Sequence, residues 1–461
     1  MVGHLVGYRP CVLRALVVAV VALAFAAPAS GFSKEDGMQT MDDGVPIAFT
    51  RYTPDGAAPA AGRPGVLVLH GLAGNRSSMD AVAGAFANAG YSVLAYDARG
   101  HGASGGEITL AGPREVADLR ALRNAFAARP EVSDTIGAWG ISYGGGQVWN
   151  ALAAGVPLAA AAVVETWTSL YDALWPQNLA RSGIVAGFAA GIAARSPLVS
   201  AIRNDAVQSR NLAPVRALAA ERSAANRLGS IRTPVYLFQG KIDFAFDLSQ
   251  ATAALARLSG PKKLYAGNFG HPPSTFPGVD GAYVLSQAVA WFDRHVKGTR
   301  NGVDAKRVVI AKHASATSRV ELDALPATGK HAFALGGTAT ARGSALVSRR
   351  TAPLKAALET WGTGSARITV TKLTSYPRLV VSVLAGNRVV AHGGLRPKVG
   401  VNTVQLANYC VFVPKGTRLR VTVGSASPAG QIAYLGFAGA GSATIGPVSV
   451  TLSTLRTPIS R

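Results

Sequence analysis

The sequence predicts a mostly parallel α/β sheet with helices on both faces and a helical cap, followed by an all-β domain of sandwich or jelly-roll type. Three observations carry this. Apolar runs of strand length alternate with amphipathic helical segments through the first 300 residues, the pattern of parallel strands joined by crossover helices. The alternation stops over residues 165–232, an interval of helical composition that reads as the cap. From about residue 305, short segments of period two are separated by Gly, Pro, Ser and Asn turns, as in antiparallel β domains. The expected division is residues 1–30, a catalytic domain over 32–300 and a β domain over 301–461.

At the N-terminus, Arg9 and Arg14 precede the apolar run from Ala15 to Ala27, and Ala27-Pro28-Ala29-Ser30-Gly31 supplies small residues. This is a secretory signal pattern, with cleavage expected after Ala29 or nearby. An uncleaved anchor is the other reading, although the run falls short of the about 20 residues that span a bilayer. The mature chain is therefore expected to be secreted or associated with the cell envelope. Residues 45–53 read as an antiparallel strand and 65–69 as a buried one. Residues 112–129 form an amphipathic helix, with Val116, Leu119, Leu122 and Phe126 at helical spacing. Further strands are expected at 135–139, 159–164, 234–240 and 263–266, with helices at 248–258 and around 290–296.

Chemistry concentrates at strand ends. Gly140-Ile141-Ser142-Tyr143-Gly144-Gly145 follows the strand at 135–139 and has the form of a nucleophile elbow, a sharp strand-to-helix turn with serine at its apex. Such a turn crowds backbone against side chains, which glycine tolerates. A serine hydroxyl needs a base, and the base needs an acid to fix its tautomer. Past the strand at 234–240 comes Asp243, and past the strand at 263–266 comes His271, the chain order Ser, Asp, His. Asp247 is the rival acid. His295 lies within a helix, away from a strand end. The oxyanion donors are expected to be the backbone amides of Tyr143, after the nucleophile, and of Leu72 in His70-Gly71-Leu72-Ala73-Gly74, with Ala73 the alternative. His70 reads as packing for that loop, and Asp97 and Arg99 as a bracing pair in Tyr96-Asp97-Ala98-Arg99-Gly100-His101-Gly102.

The H-G-x-x-G loop, the D-x-R-G-H-G-x-S-G-G turn, G-I-S-Y-G-G and Q-G-x-x-D followed by G-H resemble an α/β-hydrolase. Within that group the chain resembles the X-Pro dipeptidyl-peptidase and cocaine-esterase-like family over residues 45–298. Residues 412–421 are similar to a strand pair of that family's C-terminal β domain. The resemblance implies a serine hydrolase working through an acyl-enzyme, with Ser142, Asp243 and His271 as its triad. Cocaine-esterase-like members place a tyrosine side chain in the oxyanion loop, where this chain has the plainer His70–Gly74, and the cap is short. Retention of serine, acid and histidine in order argues against a binding protein that has lost its chemistry.

Ester and peptide substrates differ in one demand. A dipeptidyl-peptidase must hold a free ammonium, usually with a carboxylate, because burying that charge unpaired is costly. Glu165 and Asp172 at the start of the cap are the acids available for this. Trp167, Tyr171 and Trp175, with Leu174, fall on one helical face, a stripe that reads as core or, following a strand end near Ser142, as in part the lining of an apolar acyl pocket. On these grounds a carboxylesterase acting on short or medium acyl chains is favoured over an X-Pro dipeptidyl-peptidase.

No cluster of Cys and His suggests a metal, no cofactor motif is present, and the aspartates of Met41-Asp42-Asp43-Gly44 read as a hairpin turn. Cys410 is the only cysteine beyond the signal segment, so the mature chain has no intrachain disulfide. Charge is uneven. Residues 301–461 carry 20 Lys and Arg against 4 Asp and Glu, giving +16, whereas residues 32–300 carry only +4. Such a charge reads either as an arginine-biased composition on a solvated β surface or as long-range attraction to an anionic envelope polymer or membrane surface, which exchange of exposed arginines such as Arg349 and Arg350 would test. Nucleic acid is not expected, because aromatic residues are not interleaved with the basic ones. Nothing in the sequence sets an oligomeric state.

Overall fold

In the computed structural model, ten strands hydrogen-bond into one sheet. They are β1 (Phe32–Thr40), β2 (Pro46–Pro54), β3 (Arg63–Leu69), β4 (Ser92–Tyr96), β5 (Val132–Ile141), β6 (Ala161–Val164), β7 (Val235–Gly240), β8 (Lys262–Gly267), β9 (Val308–Ala311) and β10 (Arg319–Leu322), in the order 1-2-4-3-5-6-7-8-9-10. The structure describes residues 31–459 apart from 272, 273, 275–277, 314, 316, 437 and 438, so the expected signal segment lies outside the described residues. β3 to β9 run parallel, flanked by the antiparallel β1–β2 hairpin and by β10.

The parallel strands are buried on both sides, and their period of two divides two cores. Leu67, Leu69, Leu94, Tyr96 and Leu237 enter the core on one face. Val66, Val68, Val93, Trp139 and Phe238 enter the core on the other. Helices α1 (Asp80–Asn88), α2 (Pro113–Ala127) and α3 (Tyr143–Ala153) follow β3, β4 and β5. The cap holds α4 (Leu170–Leu174), α5 (Ser182–Ile192), α6 (Pro197–Gln208) and α7 (Leu212–Glu221). α8 (Ser249–Arg257) and α9 (Gly281–His295) complete the catalytic unit.

Two expectations are corrected here. The division placed at residue 300 falls later, because β9 pairs with β8 (Leu264 with Val308, Ala266 with Ile310) and β10 extends the same sheet. Val308-Val309-Ile310-Ala311 is an unbroken buried apolar run, which is how a parallel strand covered on both faces reads. The helix drawn through Trp167 begins only at Leu170, after Ser169 caps it by accepting from the Asp172 amide.

The all-β domain is present from Thr328 onward. Its nine-stranded antiparallel sheet, with a two-stranded pair beside it, curls around one core containing Val347, Ile368, Val381, Val404, Val421 and Val450. It is fastened to the catalytic unit by buried polar contacts. Arg378 donates to Ser182 at 3.0 Å, and the Tyr409 hydroxyl pairs with His392 Nε2 at 2.8 Å beside the Arg181–Asp247 ion pair. No described helix is long and apolar enough to cross a membrane.

Candidate active site

Ser142 sits at the apex of the turn from β5 into α3, at φ 52° and ψ −114°, a strained conformation for a residue with a side chain. The turn is held by the Ser142 amide donating to Val164 O at 2.8 Å and by Thr166 Oγ1 donating to Ser142 O at 2.8 Å. Gly144 is required because a Cβ there would stand 2.4 Å from Leu69 O. This close contact sets the start of α3 against the end of β3, which brings the loop of residues 70–74 beside Ser142.

The loops after β7 and β8 meet in the same way, since a Cβ on Gly240 would overlap Phe269 O at 2.0 Å. Asp243 and His271 are thereby brought together. Ser142 Oγ donates to His271 Nε2 at 2.8 Å, and His271 Nδ1 donates to Asp243 Oδ2 at 2.9 Å and Oδ1 at 3.1 Å. Asp243 is fully buried, and Oδ1 also accepts from the amides of Ala245 and Phe246, each at 2.9 Å. Asp247, the rival acid, faces elsewhere. It pairs with Arg181 at 2.9 Å, and this charge, with Ser249, outweighs burial and holds its carboxyl below the usual range. This is the arrangement a serine nucleophile needs: base on the hydroxyl, acid on the other ring nitrogen, anion held by donors.

Among the described residues, neither the Tyr143 nor the Leu72 amide donates to another group, and both residues line the cavity that opens on Ser142. The Tyr143 amide is an orphan of the first turn of α3 and carries the positive end of that helix. The Leu72 loop is folded by Gly74 donating to Gly71 O and by Ala73 at φ 59°. Beneath it, His70 Nδ1 donates to Gly71 O at 2.7 Å while Nε2 accepts from the Ala98 amide at 3.0 Å. Burial pushes the His70 imidazole down to about 4, so it is neutral, as its one-donor, one-acceptor role demands. Asp97 and Arg99 are bracing groups, bonded to Arg76 and to Asp43 and Asp118.

The cavity beside Ser142 measures about 90 Å³ and lies between the sheet and the cap. Trp167 and Trp175 line it, with Leu174, Phe188, Ile202 and Phe246. Tyr171 does not, because its hydroxyl turns to Asn178 and its ring packs under Arg216. Asp172 is also outside, occupied with Ser169 at the start of α4. Glu165 is buried behind the triad rather than on the cavity wall. Among the described residues no carboxylate lines this cavity, and Arg203 is the one charged residue that does. The α5 contribution (Val185, Phe188, Ala189, Ile192) lies in a stretch rich in alanine, glycine and apolar residues, a composition that signals cap or core without saying what it packs against. Phe246 gave no sequence signal.

The sequence pattern of the X-Pro dipeptidyl-peptidase (S15) family matches residues 43–273. A CocE/NonD family hydrolase from Staphylococcus aureus superposes with a TM-score of 0.72 at 14% identity, over 92% of this chain and 94% of that one. An α-amino acid ester hydrolase superposes with a TM-score of 0.65 at 14% identity, over 96% and 100%. An aminopeptidase from a marine sediment archaeon, Thaumarchaeota archaeon, gives 0.69 at 13%, over 95% and 99%. These likenesses are of fold. An uncharacterized 31.7 kDa protein of Escherichia coli is 35% identical over 111 residues, 23% of this chain and 37% of that protein. With the family pattern spanning half of the sequence, the chain belongs to the X-Pro dipeptidyl-peptidase (S15) family, and it is a serine hydrolase.

Proposed function

We propose that the enzyme cleaves carboxylic esters with short or medium acyl chains. The observation that carries this is the apolar cavity on Ser142, where none of the described lining residues is a carboxylate that could receive a substrate ammonium. In this reading Ser142 Oγ attacks the ester carbonyl while His271 Nε2 takes its proton. The Tyr143 and Leu72 amides receive the oxyanion, and Asp243 orients the ring and balances the imidazolium. His271 then returns the proton to the departing alcohol. In the second half it takes a proton from water, whose oxygen attacks the acyl-enzyme, and returns that proton to Ser142 Oγ as the carboxylic acid leaves.

Family membership favours a second reading, removal of X-Pro dipeptides. Comparing p-nitrophenyl butyrate with Ala-Pro-p-nitroanilide separates the two, with kcat/KM expected to be higher for the ester. A clear preference for the anilide reverses the assignment. Ser142→Ala should keep the fold, lose turnover by several orders of magnitude, and escape a fluorophosphonate probe that labels the wild type. Equal labelling of both proteins would remove Ser142 from the mechanism.

We also propose that the mature protein is exported and held at an anionic envelope polymer by its β domain. Beyond Asp323 the sequence has one acid, Glu359, and that side chain is fully buried. Among the described residues, no Asp or Glu side chain on that domain's surface therefore answers its arginines and lysines. Arg350 and Arg420 stand directly opposite each other across neighbouring strands, a like-charge pair that an anion would relieve.

A further inference from the structure

Glu165 is a buried acid that the mechanism above does not use. It follows the last residue of β6, its amide donates to Phe238 O at 2.8 Å, and its backbone lies at φ 47°, in the region that favours glycine. The residue is 2% exposed, and among the described residues its Oε1 has no hydrogen-bond partner. A carboxyl oxygen of Glu165, one of Asp243 and a ring nitrogen of His271 all lie within 4.8 Å of one another.

From the loop after β7, Asp243 faces this carboxyl, and from the loop after β8, His271 does. The elbow after β5 brings Ser142, whose hydroxyl is engaged by His271. β6 itself, Ala161–Val164, carries no charge, and among the described residues no cation pairs with Glu165. Two buried carboxyls this close oppose each other's ionisation. The competition between them is unequal. Asp243 is served by the Ala245 and Phe246 amides, by Gln239 at 3.3 Å and by His271, all of which favour its anion. Among the described residues, no donor reaches Glu165 Oε1.

We propose that Glu165 is a positioning residue that sits protonated behind the triad, so that Asp243 is the single anion facing His271. Burial first, and the Asp243 charge second, push the Glu165 carboxyl up to about 10, in keeping with this arrangement. A neutral carboxyl here fills the space behind Asp243 without a second negative charge. An anion in its place would strengthen the base by stabilising imidazolium and would oppose the oxyanion forming on the substrate. The site therefore depends on Glu165 keeping its shape and staying neutral. This rests on the reading of Ser142, His271 and Asp243 as the triad.

The test uses the full chain, with Glu165→Gln as the permanently neutral isostere and Glu165→Ala as the truncation. The acid limb of the kcat/KM profile reports the base in the free enzyme. It should stay within about half a unit of wild type in Glu165→Gln, because no charge has been removed. Glu165→Ala should lower kcat by about tenfold or more with little change in KM, and Gln should restore it to within about threefold. An infrared difference spectrum of wild type minus Glu165→Gln at pH 7 should show the carbonyl stretch of a protonated carboxylic acid. An acid limb lowered by about a unit or more in Glu165→Gln, or absence of that band, would mean an ionised Glu165 and overturns the proposal. So would a Glu165→Ala enzyme with the kcat of wild type. Loss of the triad reading is distinguishable, since it requires Ser142→Ala to keep activity.

Discussion

The Cys410 amide donates to the Lys241 carbonyl at 3.0 Å, tying the β domain to the catalytic chain two residues before Asp243. One residue after Asp243, the Phe244 ring lies 4.6 Å from the Tyr409 ring. The loop that carries the triad acid is thus packed on both sides of that acid by one turn of the second domain. Tyr409→Phe should test the coupling. It leaves His392 Nε2 without its partner and should lower stability by about 1–3 kcal/mol in denaturant unfolding, with kcat nearly kept. Truncation before residue 324 should abolish esterase activity altogether, and an active truncated enzyme would refute this dependence.

Asp243 and Asp247 should separate cleanly on substitution. Asp243→Asn keeps the shape but supplies a donor where His271 needs an acceptor, so turnover should fall by about four orders of magnitude with the melting temperature nearly unchanged. Asp247→Asn strands the buried Arg181 charge and should cost about 3–5 kcal/mol of stability. Its per-molecule activity, measured well below the melting temperature, should be far closer to wild type. The reverse pattern would exchange their roles.

Acid should destabilise the fold before it protonates the carboxylates. Burial pushes His70 down to about 4 and His392 to about 3, whereas a free histidine titrates near 6.5. Between these values the unfolded chain binds the proton and the folded chain does not. The contribution is therefore whole above about pH 6.5 and is lost as pH falls towards 4, amounting to about 3 kcal/mol for His70 alone. The melting temperature should fall steeply over that window. A flat profile from pH 7 to 4.5 would contradict the buried neutral histidines.

Chain-length preference should follow the cap. Ala189 on α5 lines the cavity, and Ala189→Phe would fill much of it. The ratio of kcat/KM for p-nitrophenyl hexanoate to that for the acetate should drop by about tenfold or more, with acetate turnover largely kept. An unchanged ratio would place the acyl chain elsewhere.

Polyanion attachment should be a matter of long-range charge. Binding to a soluble polymer of glycerol phosphate or uronic acid should weaken steeply between about 0.01 and 0.1 M salt, as the screening length falls from about 30 to 10 Å. Arg350→Gln with Arg420→Gln should weaken it further. Arg349 is a poor choice for this experiment, because its guanidinium is spent on the carbonyls of Leu335, Gly337, Ile445 and Gly446. Binding that ignores salt and these substitutions, or that favours acidic vesicles over the polymer, would refute polymer attachment.

What the sequence determined by itself was local and periodic. Val66 to Leu69 alternate between two buried faces, Val116, Leu119, Leu122 and Phe126 repeat at helical spacing, and the glycines around Ser142 announce a turn that a Cβ would block. The order of Ser142, Asp243 and His271 at strand ends could be read for the same reason, since a strand's end is written in the residues beside it. The tertiary structure alone decided what depends on distance between segments far apart in the chain. It set Asp243 rather than Asp247 against His271, because Arg181 arrives from the cap to take Asp247. It turned Tyr171 and Asp172 away from the cavity while packing α5 and Phe246 into it. It carried β9 and β10 into the catalytic sheet, where pairing with β8 outweighed proximity to the β segments that follow. It also placed Glu165 behind Asp243, an approach across 78 residues of sequence that no local spacing encodes.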